Sequence, residues 1–384
     1  MKKEQLLFIM LSLIFFRLSA QEEKPPIMGW SSWNNFRTHI DEKMIREQAD
    51  AMISSGLYNA GYRFINIDDG YFGGRDANGN LFSDSSKFPS GMKSLADYIH
   101  SKKLKAGIYT DAGPNTCGSY YDKDAKGVGS GIYGHVQQDV DLFFRNWGYD
   151  FLKVDWCGGQ KMKLSEQEEY TKIIHAVKDI NPNIIFNVCR WQFPGQWATA
   201  IADSWRMSGD ISAKFSSIQK IIDSNAHLDI YASAGHYNDM DMLQVGRGMS
   251  FDEDKTHFSM WCMLNSPLLA GNDLRNMSKQ TIEILTNKEI IAIDQDIAFV
   301  QGRKILTEND VDVWLKDLTG GKQKAIALMN RSDSEKTFTL TAQKLDLNTG
   351  LSLRDLWQHK NIGKLGDGQT FTIPKHGIVV LKAY

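Results

Sequence analysis

The chain of 384 residues is 42% hydrophobic and 11% aromatic, enough to bury a sizeable core and more than one small domain needs. Its 44 basic and 46 acidic residues leave a formal net charge of −2, which gives no reason to expect nucleic acid or an anionic membrane surface as partner. Ten tryptophans and 13 tyrosines offer flat faces that suit the apolar C–H faces of sugar rings, although a chain of this size also buries tryptophan for packing alone.

The first segment stands apart. Lys2 and Lys3 precede the apolar run "LLFIMLSLIFF" at 6–16, and "RLSA" then leads into the polar "QEEKPP". A basic start, a short apolar run and a small residue before a polar stretch predict a secretory signal peptide over residues 1–20. The run is short for a membrane span, and nothing later resembles one, so no membrane partner is expected after cleavage. The expected location is periplasmic or secreted. Export permits disulfides, and Cys117, Cys157, Cys189 and Cys262 allow three full pairings. There is no CxxC, zinc spacing or HExxH, so neither a metal site nor a cofactor is expected.

Short apolar runs follow: "GWSSW" (29–33), "RFINIDD" (63–69), "KAGIYTD" (105–111), "DFLKVD" (150–155), "NIIFNVC" (183–189) and "DSWRMSGD" (203–210), with weaker ones at 235–243 and 266–273. Helical periodicity lies between them at 41–56, 92–104, 136–148 and 166–180. Eight strand–helix units across residues 21–299 predict a (β/α)8 barrel, an α/β fold with a parallel sheet. A doubly wound sheet is the alternative, but GxGxxG is absent after the first strand. From about residue 300 the texture changes to short alternating runs, "DVDVWLKDL", "KQKAIALMN", "KTFTLTA", "SLRDLW", "QTFTIP" and "GIVVLKAY", with no helical pattern. Residues 300–384 therefore read as a C-terminal antiparallel β-sandwich.

Chemistry in such a barrel sits at the carboxyl ends of its strands. Those ends carry Asp68 and Asp69, Tyr109 and Asp111, Lys153 and Asp155, Arg206 and Asp210, then Asp239 and Asp241, with Trp30 and Trp33 on the first. Any one acid could cap a helix or form a turn, but acids on strand after strand mark one rim. Paired carboxylates among aromatic walls point to glycoside hydrolysis, in which one attacks and the other protonates the leaving oxygen. Lys153 and Asp155 lie two apart on a strand and share a face. The ammonium is expected to lower the Asp155 pKa and keep it ionised, as a nucleophile requires. A structural ion pair is the alternative role.

The motifs "MGWSSWNNF" (28–36), "FINIDDGY" (64–71), "GIYTDAGPNTC" (107–117), "WGYDFLKVDWC" (147–157), "SWRMSGDI" (204–211), "YNDMDMLQVG" (237–246) and "THFSMWCMLNSPLLAGNDL" (256–274) resemble, in order, the α-galactosidases of glycoside hydrolase family 27. That resemblance implies a barrel followed by a β-sandwich, and a retaining double displacement on a carbohydrate substrate ending in α-galactose. Asp155 would be the nucleophile and Asp210 the acid/base. Asp68 and Asp69 would hold the sugar's 4- and 6-hydroxyls with Lys153, while Arg206 would lie near the 2-hydroxyl. Trp30, Tyr109, Asp241 and Met242 match pocket-lining positions, and Cys117 and Cys157 match a disulfide beside the site. Two departures stand out. Gly70 replaces a cysteine found after the Asp-Asp pair in many members. In "NVCRWQFPG" (187–195), Arg190 replaces the glutamate that binds the 2-hydroxyl, exchanging an acceptor for a donor near C2. Cys189 then reads as a buried free thiol, with pairing to Cys262 as the alternative. Other activities of the same family, β-L-arabinopyranosidase, α-N-acetylgalactosaminidase and isomalto-type hydrolase, are alternatives, as is a sugar-binding protein without catalysis.

Overall fold

The computed structural model describes residues 24–366 and 368–384, so the expected signal peptide at 1–20 lies outside the described residues. Eight parallel strands form its first body: β1 (Met28–Ser31), β2 (Phe64–Asn66), β3 (Lys105–Asp111), β4 (Phe151–Asp155), β5 (Ile185–Val188), β6 (Ser204–Arg206), β7 (Tyr237–Asp239) and β8 (Leu268–Ala270). Neighbours in sequence are neighbours in space from β1 to β7, and β8 pairs with β1. The remaining seam, between β7 and β8, is closed by Leu243, four residues beyond β7. Its N–H donates to the Leu269 carbonyl at 2.7 Å, and its carbonyl accepts from Gly271 N–H at 3.0 Å. The sheet is therefore the expected closed barrel.

Local chemistry sets the helices on its outside. In α1 (Glu42–Ser54), the Asp41 side chain caps the first turn by accepting from Met44 N–H at 2.8 Å. The expected helix at 92–104 is α2 (Gly91–Ser101), and that at 166–180 is α4 (Glu166–Ile180), which stops before Asn181 and Pro182. Between them, the helix expected at 136–148 begins as α3 (Val136–Val140) and widens into a π-helical turn over Asp141–Asn146. After α5 (Phe215–Asn225), a Ser250–Glu253 capping box opens α6 (Phe251–Met263). Sequence reading passed over a hairpin after β2, Phe72–Arg75 paired with Leu81–Ser83. The Asn78–Gly79 pair at its turn, with Gly79 at φ +80°, is its sequence signal.

The second body is antiparallel: β9 (Arg303–Glu308), β10 (Val311–Asp317), β11 (Lys324–Asn330), β12 (Lys336–Leu340), β13 (Ser352–Asp355), β14 (Lys360–Lys364), β15 (Gln369–Ile373) and β16 (Ile378–Ala383). Six strands pair in the order β9-β10-β11-β16-β13-β14, and β12 pairs with β15. Strands β9 and β14 were not expected. They are the sheet's edges and carry mostly half-exposed or exposed side chains, so they lack an apolar face to read. A one-turn helix, Ala342–Leu345, also interrupts the all-β expectation. Strand β10 is buried on both faces. Val313 and Leu315 face the sandwich core with Ile326 and Phe338, while Trp314 packs into the barrel's core. Lys316 reaches the same way and donates to the carbonyls of Cys262 at 3.1 Å and Ile293 at 2.6 Å and to the Asn265 side chain.

Candidate active site

Strand register brings the site's side chains into rows. Tyr109 on β3 pairs with Lys153 on β4, which pairs with Asn187 on β5, and Asp111 pairs with Asp155 one step further. Alternate residues face one way along a strand, so Lys153 and Asp155 share a face, as expected. Both line a cavity of about 550 Å³ with Arg206, Asp210, Asp241 and Met242. Asp68 and Tyr109 line a smaller cavity that shares Lys153, Arg206, Asp241 and Met242 with the first.

Lys153 is not hydrogen-bonded to Asp155. Its ammonium contacts Asp68 Oδ2 at 2.8 Å, with the two side chains 16% and 3% exposed. It also stands over the Tyr109 ring, 5.2 Å from the centroid. Asp155 Oδ1 instead accepts from Trp156 N–H at 3.0 Å. The expected lowering of the Asp155 pKa is reversed. Burial pushes it up to about 6, opposed by the Lys153 charge and reinforced by that of Asp210. Desolvation outweighs the ammonium because the lysine's own hydrogen bond is spent on Asp68. At neutral pH the carboxyl is still mostly ionised.

Arg206 organises the opposite wall. Its Nη2 reaches Asp210 Oδ1 at 3.1 Å, Asp241 Oδ2 at 2.9 Å and the Ser208 carbonyl at 3.1 Å. The Asp210 side chain is 66% exposed and that of Asp241 only 5%. Burial raises Asp241 to about 6 against the pull of Arg206. Asp241 sits at φ +78°, a costly backbone region for a residue with a side chain. It is held there by its N–H to Asp239 Oδ1 at 2.8 Å and by carboxylate bonds from Met242 N–H at 2.7 Å and Ile211 N–H at 2.9 Å.

Three expected site residues stand behind the cavity wall. Trp30 is fully buried and donates from Nε1 to the Asn272 carbonyl at 2.7 Å. Asp69 accepts from Gly70 N–H at 2.8 Å and Gly118 N–H at 2.6 Å, and burial lifts its pKa to about 7. Arg190 turns towards α4, where Nε donates to Glu166 Oε2 at 2.9 Å, and its neighbour Trp191 lines the cavity. Trp33, Tyr121, Arg37 and Gln160 complete the mouth. Tyr121 was legible only as one of two tyrosines a helical turn beyond Cys117.

The loops after β3 and β4 are joined by the Cys117–Cys157 disulfide, while Cys189 and Cys262 are free and buried. These loops touch backbone to backbone, and a Cβ on Gly113 would lie 2.1 Å from the Gly158 carbonyl carbon. Asp111 ties them by accepting from Gly113 N–H at 2.7 Å and Gly158 N–H at 3.0 Å. Asp111, Cys117, Asp155 and Cys157 converge within 4.8 Å, but the disulfide removes both sulfurs as metal ligands.

Known proteins share this two-domain fold. Residues 25–296 match the family model described as alpha galactosidase A, and residues 308–383 match the alpha galactosidase C-terminal beta sandwich domain. The chain is 40% identical to alpha-galactosidase A of Cellvibrio japonicus over 96% of its own length and 95% of that protein's. It is 43% identical to alpha-galactosidase 2 of Arabidopsis thaliana, over 87% and 83% of the two chains. Among solved structures, alpha-galactosidase I from Mortierella vinacea superposes with a TM-score of 0.88 at 31% identity, covering 95% of this chain and 98% of that one. The chain belongs to glycoside hydrolase family 27, the α-galactosidase family.

Proposed function

We propose that this chain is a retaining α-galactosidase that removes terminal α-D-galactose from oligosaccharides or glycans. Asp155 attacks the anomeric carbon as Asp210 protonates the departing oxygen, giving a glycosyl-enzyme; Asp210 then takes a proton from the water that hydrolyses it. One observation carries the assignment of roles: Asp155 is buried beside the Lys153 charge, whereas Asp210, on the same cavity, is largely open to water. A nucleophile gains from a fixed, desolvated setting, and an acid/base that exchanges a proton with water each cycle gains from exposure. The Lys153–Asp68 and Arg206–Asp241 pairs present charged hydrogen-bonding groups for sugar hydroxyls.

The test is proton NMR of the first-formed sugar, expected to be the α-anomer, together with Asp155→Ala, expected to lose more than about 10⁴-fold in turnover. A β-anomer, or an active Asp155→Ala protein, contradicts the mechanism. Matched aryl α-galactoside and β-L-arabinopyranoside decide the sugar, with the galactoside expected to be cleaved faster. We further assign residues 1–20 to an export signal, 21–299 to the catalytic barrel and 300–384 to the sandwich, with a periplasmic or secreted mature protein. Among the described residues no helix is long and apolar enough to cross a membrane. N-terminal sequencing of the mature protein tests the export signal.

A further inference from the structure

A second concavity, of about 410 Å³, lies beside the active-site cavity. Asn34 lines the active site, and the next residue, Asn35, lines this groove. Arg247, in the groove's wall, bonds to both residues, with Nη1 donating to Asn35 Oδ1 at 2.9 Å and Nη2 to the Asn34 carbonyl at 2.6 Å. The groove's volume is that of a small-ligand site. Its rim presents the side chains of Asn276, Ser278 and Gln280, and Phe251 and Met277 supply apolar surface.

Two buried acceptors in its wall lack partners among the described residues. Asp254 and Asn272 are each only 5% exposed, and neither Asp254 Oδ1 nor Asn272 Oδ1 receives a hydrogen bond. The other oxygen of Asp254 accepts from Gly246 N–H at 2.9 Å. Unpaired buried acceptors are uncommon and call for a donor. Asp273 is paired with Arg275 at 2.7 Å, and burial lifts Asp254 to about 7. Arg247 donates from both Nη atoms to neutral oxygens, and its buried Nε has no partner among the described residues. Such a site has amides and hydroxyls for a ligand's edges, apolar side chains for its faces, and unpartnered acceptors beside an unpartnered donor, a mixture that suits hydroxyls, which both give and take hydrogen bonds.

We propose that this groove is a second, non-catalytic carbohydrate site, which holds a neutral sugar unit of an extended substrate while the terminal galactose occupies the active site. The inference rests on the galactosidase reading for the identity of that substrate. The test uses the full-length enzyme, its Asn276→Ala/Gln280→Ala variant and a Gln280→Trp variant that fills the groove. Hydrolysis of an aryl α-galactoside is expected to stay within about twofold in all three, because that substrate ends before the groove. On galactomannan, a polymer bearing α-galactosyl branches, kcat/KM is expected to fall at least fivefold in both variants, through KM. Parallel loss on both substrates, or no loss on the polymer, overturns the proposal. Methyl-labelled methionine gives a separate reading: Met242 reports the active site and Met277 the groove. A galactosylated manno-oligosaccharide should shift both methyls and free galactose chiefly Met242; an unmoved Met277 overturns the proposal. If the parent enzyme cleaves no aryl α-galactoside, the galactosidase reading fails, and the Met277 shift still decides the groove.

Discussion

Lys153 gives its hydrogen bond to Asp68, two strands away at 2.8 Å, and only its field to Asp155, two residues along its own strand. One ammonium thus neutralises a buried carboxylate on β2's end and restrains the pKa of the candidate nucleophile.

Lys153→Met separates these roles. Asp68 would be left buried without its partner, a loss of about 3–5 kcal/mol by analogy with other broken buried pairs. Asp155, about 6 in the intact site, loses the charge that holds it down and rises further. The nucleophile works ionised, so activity falls as pH drops through its pKa. The acid limb of the kcat/KM profile, expected near pH 6, should move to higher pH in the variant. An unmoved limb rules out Lys153 as the restraint.

Arg206→Lys keeps the charge but not the fork. A single Nη2 serves Asp210, Asp241 and the Ser208 carbonyl, and an ammonium on a shorter stem cannot take that place. A roughly 10- to 100-fold loss in kcat/KM is expected from steady-state kinetics, with a lowered melting temperature because buried Asp241 loses a charged hydrogen bond worth about 1.5–3 kcal/mol.

Removing the Cys117–Cys157 bridge, as Cys117→Ala/Cys157→Ala, frees a loop of 40 residues in the unfolded chain. Chain entropy puts the cost at about 4 kcal/mol, to be read from denaturant unfolding. Thiol titration of the parent should find no reactive cysteine while folded, because Cys189 and Cys262 are buried. Unfolding without reductant should then release those two alone.

Asp254 carries a pH-dependent cost. Its folded pKa, about 7, lies above the ordinary 3.8, with burial as the main cause. Its contribution is therefore full below about pH 4 and is lost as pH rises through 7. Asp254→Asn cannot ionise, so its melting temperature should fall less than the parent's between pH 5 and 8. Calorimetry at both pH values checks this, and parallel curves would falsify the assignment.

The barrel was legible because parallel strands covered on both sides read as apolar runs, and because side chains at their ends must serve a shared cavity. Asp155, Lys153, Arg206, Asp210, Asp241 and Met242 could be placed from their motifs and do share that cavity. Partner choice could not be read. Lys153 has Asp155 close in sequence and Asp68 close in space, and only strand register decides between them. Arg190 looked like a pocket residue by position, yet Glu166, 24 residues earlier at the start of α4, holds it away. Edge strands β9 and β14 were missed for the opposite reason, since a strand with little to bury leaves little pattern.

The hydrogen bonds of Leu243 close the ring one residue beyond Met242 and two beyond Asp241. That sector of the site is thus part of the clasp of the barrel rather than a loop hung upon it. Asp241 cannot relax its left-handed backbone without loosening the join between the last two strands, so its place is set when the chain folds and not when sugar arrives. Substrate on that side meets a wall already in its working shape, while across the mouth Tyr121 stands open to solvent.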